Sequence, residues 1–165
     1  MTRFPPIDVR HPVAGDIVTD QVNVAGFLNI GDSVAIISIR AEDDSELAST
    51  TVRSLDFGSG DFGVTLEVTP TTQTGNVVVS YSPDSGLEAA VVPVTFGSTL
   101  FSGGYLGFFV HTVEPGDTLF DIAAANYGDG NRWPLLALVN RDIVADPNLI
   151  HPGQELRIPV DPANI

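Results

Sequence analysis

The sequence has no cysteine and few basic residues. Without cysteine it has no disulfide framework and no thiolate metal site, and nothing in it reports the redox compartment. Seven Lys and Arg residues stand against 21 Asp and Glu residues, which gives a formal net charge of −14. That charge repels nucleic acid and anionic lipid headgroups, whereas a neutral sugar polymer is indifferent to it. Nucleic acid is therefore disfavoured as a partner, and uncharged ligands are favoured.

Long hydrophobic runs are also missing. The most apolar stretch, residues 105–110, is far shorter than the roughly 18 residues of a membrane span, so we expect no direct membrane insertion. With 43% hydrophobic and 17% charged residues, the chain is expected to fold. Its first residues lack the apolar core of a signal peptide. Two locations stay open: the cell envelope or extracellular space if an export signal or anchor precedes this sequence, and the cytoplasm otherwise.

Signals for catalysis, metals and cofactors are weak. Residues 58–63 match G-x-G-x-x-G, but no helix follows, so they predict a hairpin turn and not a dinucleotide site. The acidic residues of 42–46 lack the spaced oxygen ligands of a calcium loop and predict a solvated hairpin tip. The histidines are scattered, and no Ser or Thr lies in a nucleophile signature. Scattered acids neither prove nor exclude a glycosidase pair. We predict no catalytic residue, no metal and no cofactor, and expect a non-enzyme.

The first half of the chain alternates apolar and polar residues in short runs bounded by Gly, Pro, Asp and Asn, which predicts an all-β fold. Seven strands are expected, at residues 7–10, 21–27, 33–41, 46–53, 62–68, 76–82 and 91–96. Period-2 runs predict three apolar faces: Val22, Val24 and Gly26; Val34, Ile36 and, after a break, Ile39; and Val64, Leu66 and Val68. Seven such strands predict a sandwich of two sheets.

The sequence changes character after residue 97. Residues 98–104 are rich in glycine and serine and predict a linker between a sandwich at 1–97 and a second domain at 105–165. Leu100 and Phe101 are unusual for a free linker and suggest that it packs on one of the domains. Helical periodicity then predicts helices at 118–127 and 132–140, flanked by strands near 110–113 and 155–158. Asp117 is expected to cap the first helix and Gly128 to end it. The second domain is thus predicted to be α+β, in the order βααβ.

This second domain resembles a LysM domain of the bacterial type. The matching residues lie at 111–119, 122–123, 127–129, 133–134, 140 and 146–159, in both helices and both strands. The first half resembles a bacterial immunoglobulin-like domain of the spore-germination (Gmad2-type) family, through residues 7–16 and 22–27. The LysM resemblance implies a glycan groove between two loops. Its contacts would be Gly116, Asp117, Thr118 and Leu119 on one wall, and Pro147, Asn148, Leu149 and Ile150 on the other.

Several of these residues also have structural interpretations. A helix cap is favoured over a sugar ligand for Asp117, and Leu119 and Ile150 are expected to lie largely in the core. Helical spacing favours a core position for Trp133 over sugar stacking. Asn140 resembles the family's second-helix asparagine, for which we expect a structural role. The rim is rich in acids, namely Glu114, Asp129, Asp142 and Asp146, which would weaken binding to anionic wall polymers.

Two functions follow from the sequence. The first is a non-catalytic protein that binds N-acetylglucosamine-containing glycan, either peptidoglycan or chitin, with the sandwich as a spacer or as a contact for other envelope proteins. The alternative is a structural or assembly protein that uses the LysM fold for protein contacts, as in a phage-tail-like baseplate or a cytoplasmic LysM protein.

Overall fold

The structure is a computed structural model that describes residues 5–53, 59–82 and 87–164. The chain divides into two compact units, Met1–Phe96 and Gly97–Ile165. Among the residues described, no helix is long and apolar enough to cross a membrane.

The described residues of the first unit form eight strands. They are β1 (Ile7–His11), β2 (Ile17–Val18), β3 (Gln21–Asn29), β4 (Val34–Ala41), β5 (Glu46–Arg53), β6 (Ser59–Glu67), β7 (Thr74–Tyr81) and β8 (Glu88–Phe96). One sheet has the order β1-β3-β6, and the other has the order β2-β8-β7-β4-β5. The apolar faces of the two sheets form one core, and the predicted immunoglobulin-like sandwich is confirmed.

The prediction missed β2, which pairs in parallel with the end of β8. Two residues are too few to show an alternating pattern, so the sequence carries no signal for this strand. The seven predicted strands correspond to β1 and β3 to β8, with shifted ends.

One predicted face was wrong. In β4 the core face is formed by Ala35, Ile37 and Ile39, which are fully buried, whereas Ile36 is 48% exposed on the opposite face. The run 34–39 contains three isoleucines and two further apolar residues, so both alternating sets are apolar and composition does not select between them. The core faces of β3 and β6 are those predicted, since Val22, Val24 and Leu66 are buried.

The second unit has the predicted βααβ order. It contains β9 (Phe108–Thr112), α1 (Leu119–Tyr127), α2 (Trp133–Val139) and β10 (Glu155–Pro159), and β9 and β10 form an antiparallel pair. Its core holds apolar residues from every element: Val113, Leu119, Ile122, Ala123, Leu136, Val139, Leu156 and Ile158.

The ends of α1 follow from specific residues. Gly128 ends the helix in the left-handed conformation with φ of 70°, as predicted, and its N–H donates to the carbonyl of Ala124. The N-cap is Thr118 and not Asp117, because the Thr118 hydroxyl accepts the N–H of Asp121. Asp121 in turn accepts the Thr118 hydroxyl proton at 2.6 Å, which gives a reciprocal cap. The prediction that Asp117 caps α1 was wrong by one residue.

The segment predicted as a linker lies within the second unit and packs on it. Leu100 and Phe101 are buried, and the Phe101 ring lies 6.1 Å from the ring of Tyr127. The guanidinium of Arg132 lies over both rings and donates to Asp161 at 2.6 Å. Burial raises the pKa of Tyr127, whose hydroxyl donates to the carbonyl of Pro159. These contacts join the start and end of the second unit.

Candidate functional site

The two predicted walls of the groove begin at the same end of the β9–β10 pair. Thr112, the last residue of β9, lies opposite Glu155, the first residue of β10. Beyond this pair, the N–H of Val113 donates to Gln154 and the N–H of Gly153 donates to Val113, each at 2.8 Å. The loop after β9 and the loop before β10 are therefore bound together at their bases.

The first wall starts with a tight turn over residues 114–117. The N–H of Asp117 donates to the carbonyl of Glu114, and the N–H of Glu114 donates to the carboxylate of Asp117 at 2.9 Å. Gly116 has φ of 99°, a conformation that side-chain-bearing residues rarely adopt, and it is exposed. The turn thus presents bare backbone to solvent.

Asp117 holds this turn closed instead of capping α1. Its Oδ2 lies 2.9 Å from Nε2 of His111 in β9, in addition to its bond with Glu114. The Glu114 N–H, followed by the hydrogen bond with His111, keeps the pKa of Asp117 below its ordinary value. The carboxylate is therefore ionised at neutral pH and engaged within the protein. Sequence reasoning missed His111, because a strand residue six positions before an aspartate forms no recognisable pattern.

The other two residues of the first wall lie at the start of α1. The Leu119 side chain is buried in the core, as the alternative interpretation expected. Thr118 is exposed, but its hydroxyl is engaged with Asp121. Leu119 can therefore meet a ligand through its backbone only, in the first helical turn, where N–H groups have no acceptor within the helix.

The second wall is a turn organised by Asp146. Its carboxylate accepts the backbone and side-chain N–H groups of Asn148 at 2.9 and 3.1 Å, and its carbonyl accepts the N–H of Leu149. Leu149 is 58% exposed, whereas Pro147 and Ile150 are half-buried. The wall thus offers one projecting apolar side chain between two partly buried ones. As contacts of a ligand, all eight residues of the two walls stay a prediction.

Three acidic residues of the rim, Asp129, Asp142 and Asp146, have hydrogen-bond partners within the protein. Asp142 forms two hydrogen bonds with the guanidinium of Arg157, at 2.8 and 3.0 Å. Asp129 accepts from the backbone and side chain of Asn131, and Asp146 from Asn148. These bonds fix the orientation of the three carboxylates.

The structural role predicted for Asn140, the residue after α2, is found, whereas the core position predicted for Trp133, the first residue of α2, is not. Asn140 is fully buried and has the structural role expected. Its amide donates to the carbonyls of Leu136 and Arg157, and its oxygen accepts the N–H of Arg157 at 2.7 Å. Trp133 was predicted in the core but is 37% exposed, because it is the first residue of α2, whose buried face is formed by Leu136 and Val139.

The other sequence signals have structural explanations. The hairpin turn predicted at 58–63 was wrong for residues 59–63, which lie within β6 and pair with β3, and Gly58 lies outside the described residues. In the acidic cluster, Asp44 pairs with Arg40, Asp43 accepts from Ser45, and Glu42 accepts from Thr74. Over the described ranges, no group of three His, Cys, Asp or Glu is placed to hold a metal ion.

Two family models match the chain. Residues 6–87 match the immunoglobulin-like domain of bacterial spore germination, and residues 111–159 match the LysM domain. The first match spans β1 to β7. The second contains α1, α2, β10 and both predicted walls.

Known relatives match about a third of the chain. An uncharacterized protein of Deinococcus radiodurans is 47% identical over 53 residues, which are 32% of this chain and 20% of that protein. An esterase of Mycobacterium tuberculosis is 49% identical over 51 residues, 31% of this chain and 11% of the esterase. The potassium binding protein Kbp of Escherichia coli is 41% identical over 49 residues, 30% of this chain and 33% of Kbp. The chain thus covers a third or less of each of these relatives.

The family matches indicate the general function of the chain. A LysM domain implies binding to peptidoglycan or a related N-acetylglucosamine-containing glycan, and with it an association with the cell wall. Both matched models describe binding or structural domains. The chain therefore consists of an immunoglobulin-like domain of the bacterial spore germination type followed by a LysM domain.

Proposed function

We propose that this chain is a non-catalytic glycan-binding protein of the cell envelope, which holds peptidoglycan, or a chitin-type polymer, in the groove of its LysM domain. The sandwich serves as a spacer or as a contact for other envelope proteins. The observation that carries the proposal is the LysM match over residues 111–159, which includes both predicted walls.

The chemistry of the walls suits an N-acetylated pyranose. Such a sugar offers hydroxyl groups, one amide and a small methyl group, so its site needs backbone donors and acceptors beside a shallow apolar surface. The exposed turn at Gly116 and the first turn of α1 supply backbone groups. Leu149 supplies an apolar side chain in contact with solvent, and Pro147 and Ile150 extend it. The acetyl methyl group is expected to lie on this second wall.

Charge favours a neutral glycan over an anionic one. The chain carries a formal net charge of −14, and the acidic residues Asp142 and Asp146 lie at the rim of the groove. A neutral N-acetylglucosamine polymer is indifferent to this field, whereas teichoic or other phosphate-containing wall polymers would be repelled. The chitin-like backbone of the wall is therefore the proposed ligand.

The esterase activity named for the Mycobacterium tuberculosis relative is not part of the proposal. The similarity covers 11% of that protein. Both domains of this chain are accounted for by families of binding or structural modules. A non-catalytic role is thus the simplest function for the two domains.

The proposal is tested by co-sedimentation with insoluble peptidoglycan at low salt. We expect the wild-type protein to sediment and Leu149→Asp to lose at least about tenfold in the bound fraction, because a charge replaces an apolar contact. The matched control is Val91→Asp, which places the same charge at a 57% exposed residue of the sandwich. The proposal fails if wild-type protein stays in the supernatant while a known peptidoglycan binder sediments, or if Leu149→Asp and Val91→Asp behave alike.

A further inference from the structure

The two outer edges of the β9–β10 pair differ in their hydrogen bonding. The outer edge of β10 is closed by Asn140, which accepts the N–H and donates to the carbonyl of Arg157. No such residue covers the outer edge of β9 within the part of the chain that the structure describes. β9 is therefore an open strand edge.

The hydrogen-bonding pattern between β9 and β10 shows which backbone groups of β9 point away from β10. In an antiparallel pair, successive residues direct their N–H and C=O groups alternately toward the partner strand and away from it. Gly107 and Val113 are bonded to the β10 side, as acceptor and donor respectively. Phe108, Val110 and Thr112 therefore direct their N–H and C=O groups to the open edge.

The side chains of the same strand leave an apolar surface. Phe108 and Val110 lie on the sheet face opposite the helices and are 45% and 53% exposed. They form the apolar side of an open groove of about 500 Å³, whose other lining residues are Ile143, Gly153, Gln154, Glu155 and Arg157. The groove and the open edge thus adjoin along one strand.

The sequence around β9 lacks the usual protection of an edge strand. Exposed edges are normally blunted by lysine, proline or other charged residues. No Asp, Glu, Lys or Arg occurs between Glu88 and Glu114. In a chain with a net charge of −14, this is a surface where two copies can meet without placing carboxylates opposite each other.

We propose that β9 pairs with β9 of a second copy of this chain, antiparallel about a two-fold axis at Val110, to give a four-stranded sheet. Val110 then lies opposite the partner's Val110, and Phe108 lies opposite the partner's Thr112. The three outward residues exchange backbone hydrogen bonds, and the exposed side chains of Phe108 and Val110 from the two copies lie side by side across the axis. Such a pair carries two LysM domains, so a polymer is held by two weak sites at once. That consequence rests on the proposed function, whereas the pairing itself does not.

Disulfide trapping of the full chain tests the register, because the natural sequence has no cysteine. Opposed residues that exchange hydrogen bonds have Cα atoms about 5.5 Å apart, within the roughly 4.4–6.8 Å that a disulfide spans. Val110→Cys is therefore expected to form a covalent dimer on mild oxidation. Phe108→Cys alone is expected to stay monomeric, since its two copies lie about 13 Å apart along the strand. A mixture of Phe108→Cys with Thr112→Cys should form mixed dimers.

Val91→Cys is the control for random collision, because Val91 is equally exposed but lies in the sandwich. The pairing is overturned if Val110→Cys cross-links no faster than Val91→Cys, or if Phe108→Cys alone cross-links as fast as Val110→Cys.

Sedimentation velocity supplies a measurement without cysteine. Association of the wild-type chain is expected to strengthen as salt screens the repulsion between the two negative copies. Val110→Pro removes an outward N–H and leaves the β9–β10 bonds intact, so it should weaken association by about tenfold. Unchanged association of Val110→Pro would contradict the pairing. No glycan takes part in either experiment, so failure here and failure of glycan binding are distinguished.

Discussion

At the scale of single residues, Asp117 makes the closed turn of the first wall dependent on pH. Its pKa lies below the ordinary value of 3.8, because the Glu114 N–H and His111 stabilise the ionised carboxylate. A lowered pKa in the folded state adds stability above the unfolded pKa, and this stability is lost as pH falls through the folded value. Asp117→Asn is therefore expected to be less stable than wild type at pH 7. The difference in unfolding free energy should shrink toward zero as the pH falls below 3.8 and through the lowered pKa of the folded state.

The measurement is urea unfolding of both proteins between about pH 2 and pH 7. Asp161, whose pKa is also lowered, by Arg132, is present in both proteins, so its effect cancels in the difference. A difference that stays constant with pH would show that the carboxylate charge does not stabilise the turn.

The side chain of Asn140 is expected to stabilise the second unit through its hydrogen bonds with Arg157. Asn140→Ala leaves the partly buried N–H and C=O of Arg157 without their partner, and we expect a loss of about 2 to 3 kcal/mol in the free energy of unfolding. Asn126→Ala is the matched control: it removes one hydrogen bond, to the carbonyl of Ile122, from a half-buried amide, and should cost about 1 kcal/mol or less. Equal losses in urea unfolding would contradict the bridging role of Asn140.

The role of a single residue was predicted correctly where it depends on the residues next to it in the sequence. Gly128 was predicted to end α1 because a left-handed residue after a helix favours glycine. Asp117 was misassigned because both it and Thr118 are good caps, and only the fold shows that His111 and the turn engage the aspartate. The exposure of Trp133 likewise depends on which elements pack beside α2.

At the scale of elements, glycines set how closely the strands approach. A Cβ atom on Gly75 in β7 would overlap the carbonyl oxygen of Arg40 and the ring of Phe96. Gly75→Ala is therefore expected to destabilise the sandwich by about 3 kcal/mol through overpacking. Gly63→Ala in β6 is the matched control, since nothing lies within 4 Å of its Cβ position. It should change stability by less than about 0.5 kcal/mol.

Thermal or urea unfolding of the two glycine variants measures their difference in stability. If Gly63→Ala destabilises as much as Gly75→Ala, the loss comes from the strand glycines in general and not from the contact with Phe96.

The elements themselves were largely predictable, and their buried faces less so. Long alternating runs such as β3 and β6 identify both the strand and its core face. β4 is apolar on both faces, so its core side is set by pairing with β5 and β7, which the local sequence does not contain. β2 is a strand because it pairs with β8, and no local sequence pattern predicts pairing between residues so distant in the chain.

At the scale of the whole molecule, the segment before the LysM match is expected to stabilise that domain. A fragment of residues 97–165 should unfold cooperatively by itself. A fragment of residues 105–165 should be less stable by about 3 kcal/mol, because it lacks the buried side chains of Leu100 and Phe101. Urea unfolding of both fragments measures the difference. Equal stabilities would mean that residues 97–104 add no stability to the LysM domain, contrary to the packing of Leu100 and Phe101.

Affinity is also a property of the whole molecule. One LysM groove meets few sugar units through backbone hydrogen bonds of about 1 kcal/mol each, so a single domain should bind with a Kd on the order of 0.1 to 1 mM. The chain has one matched LysM domain, so firm attachment to a wall requires self-association or other partners. The fold and the type of ligand follow from sequence motifs, whereas the surface that joins copies is visible only once the open edge of β9 is located.

The central claim is that glycan binds between the two loops of the LysM domain, and amide chemical shifts test it most directly. A chitin oligomer is titrated into the ¹⁵N-labelled full chain at millimolar concentration. We predict saturable shifts at Gly116, Asp117, Thr118 and Leu119 and at Asn148, Leu149 and Ile150, with the sandwich unmoved. Leu149→Asp should abolish these shifts while the rest of its spectrum stays folded. Shifts confined to the sandwich, with both loops unmoved, would contradict the account.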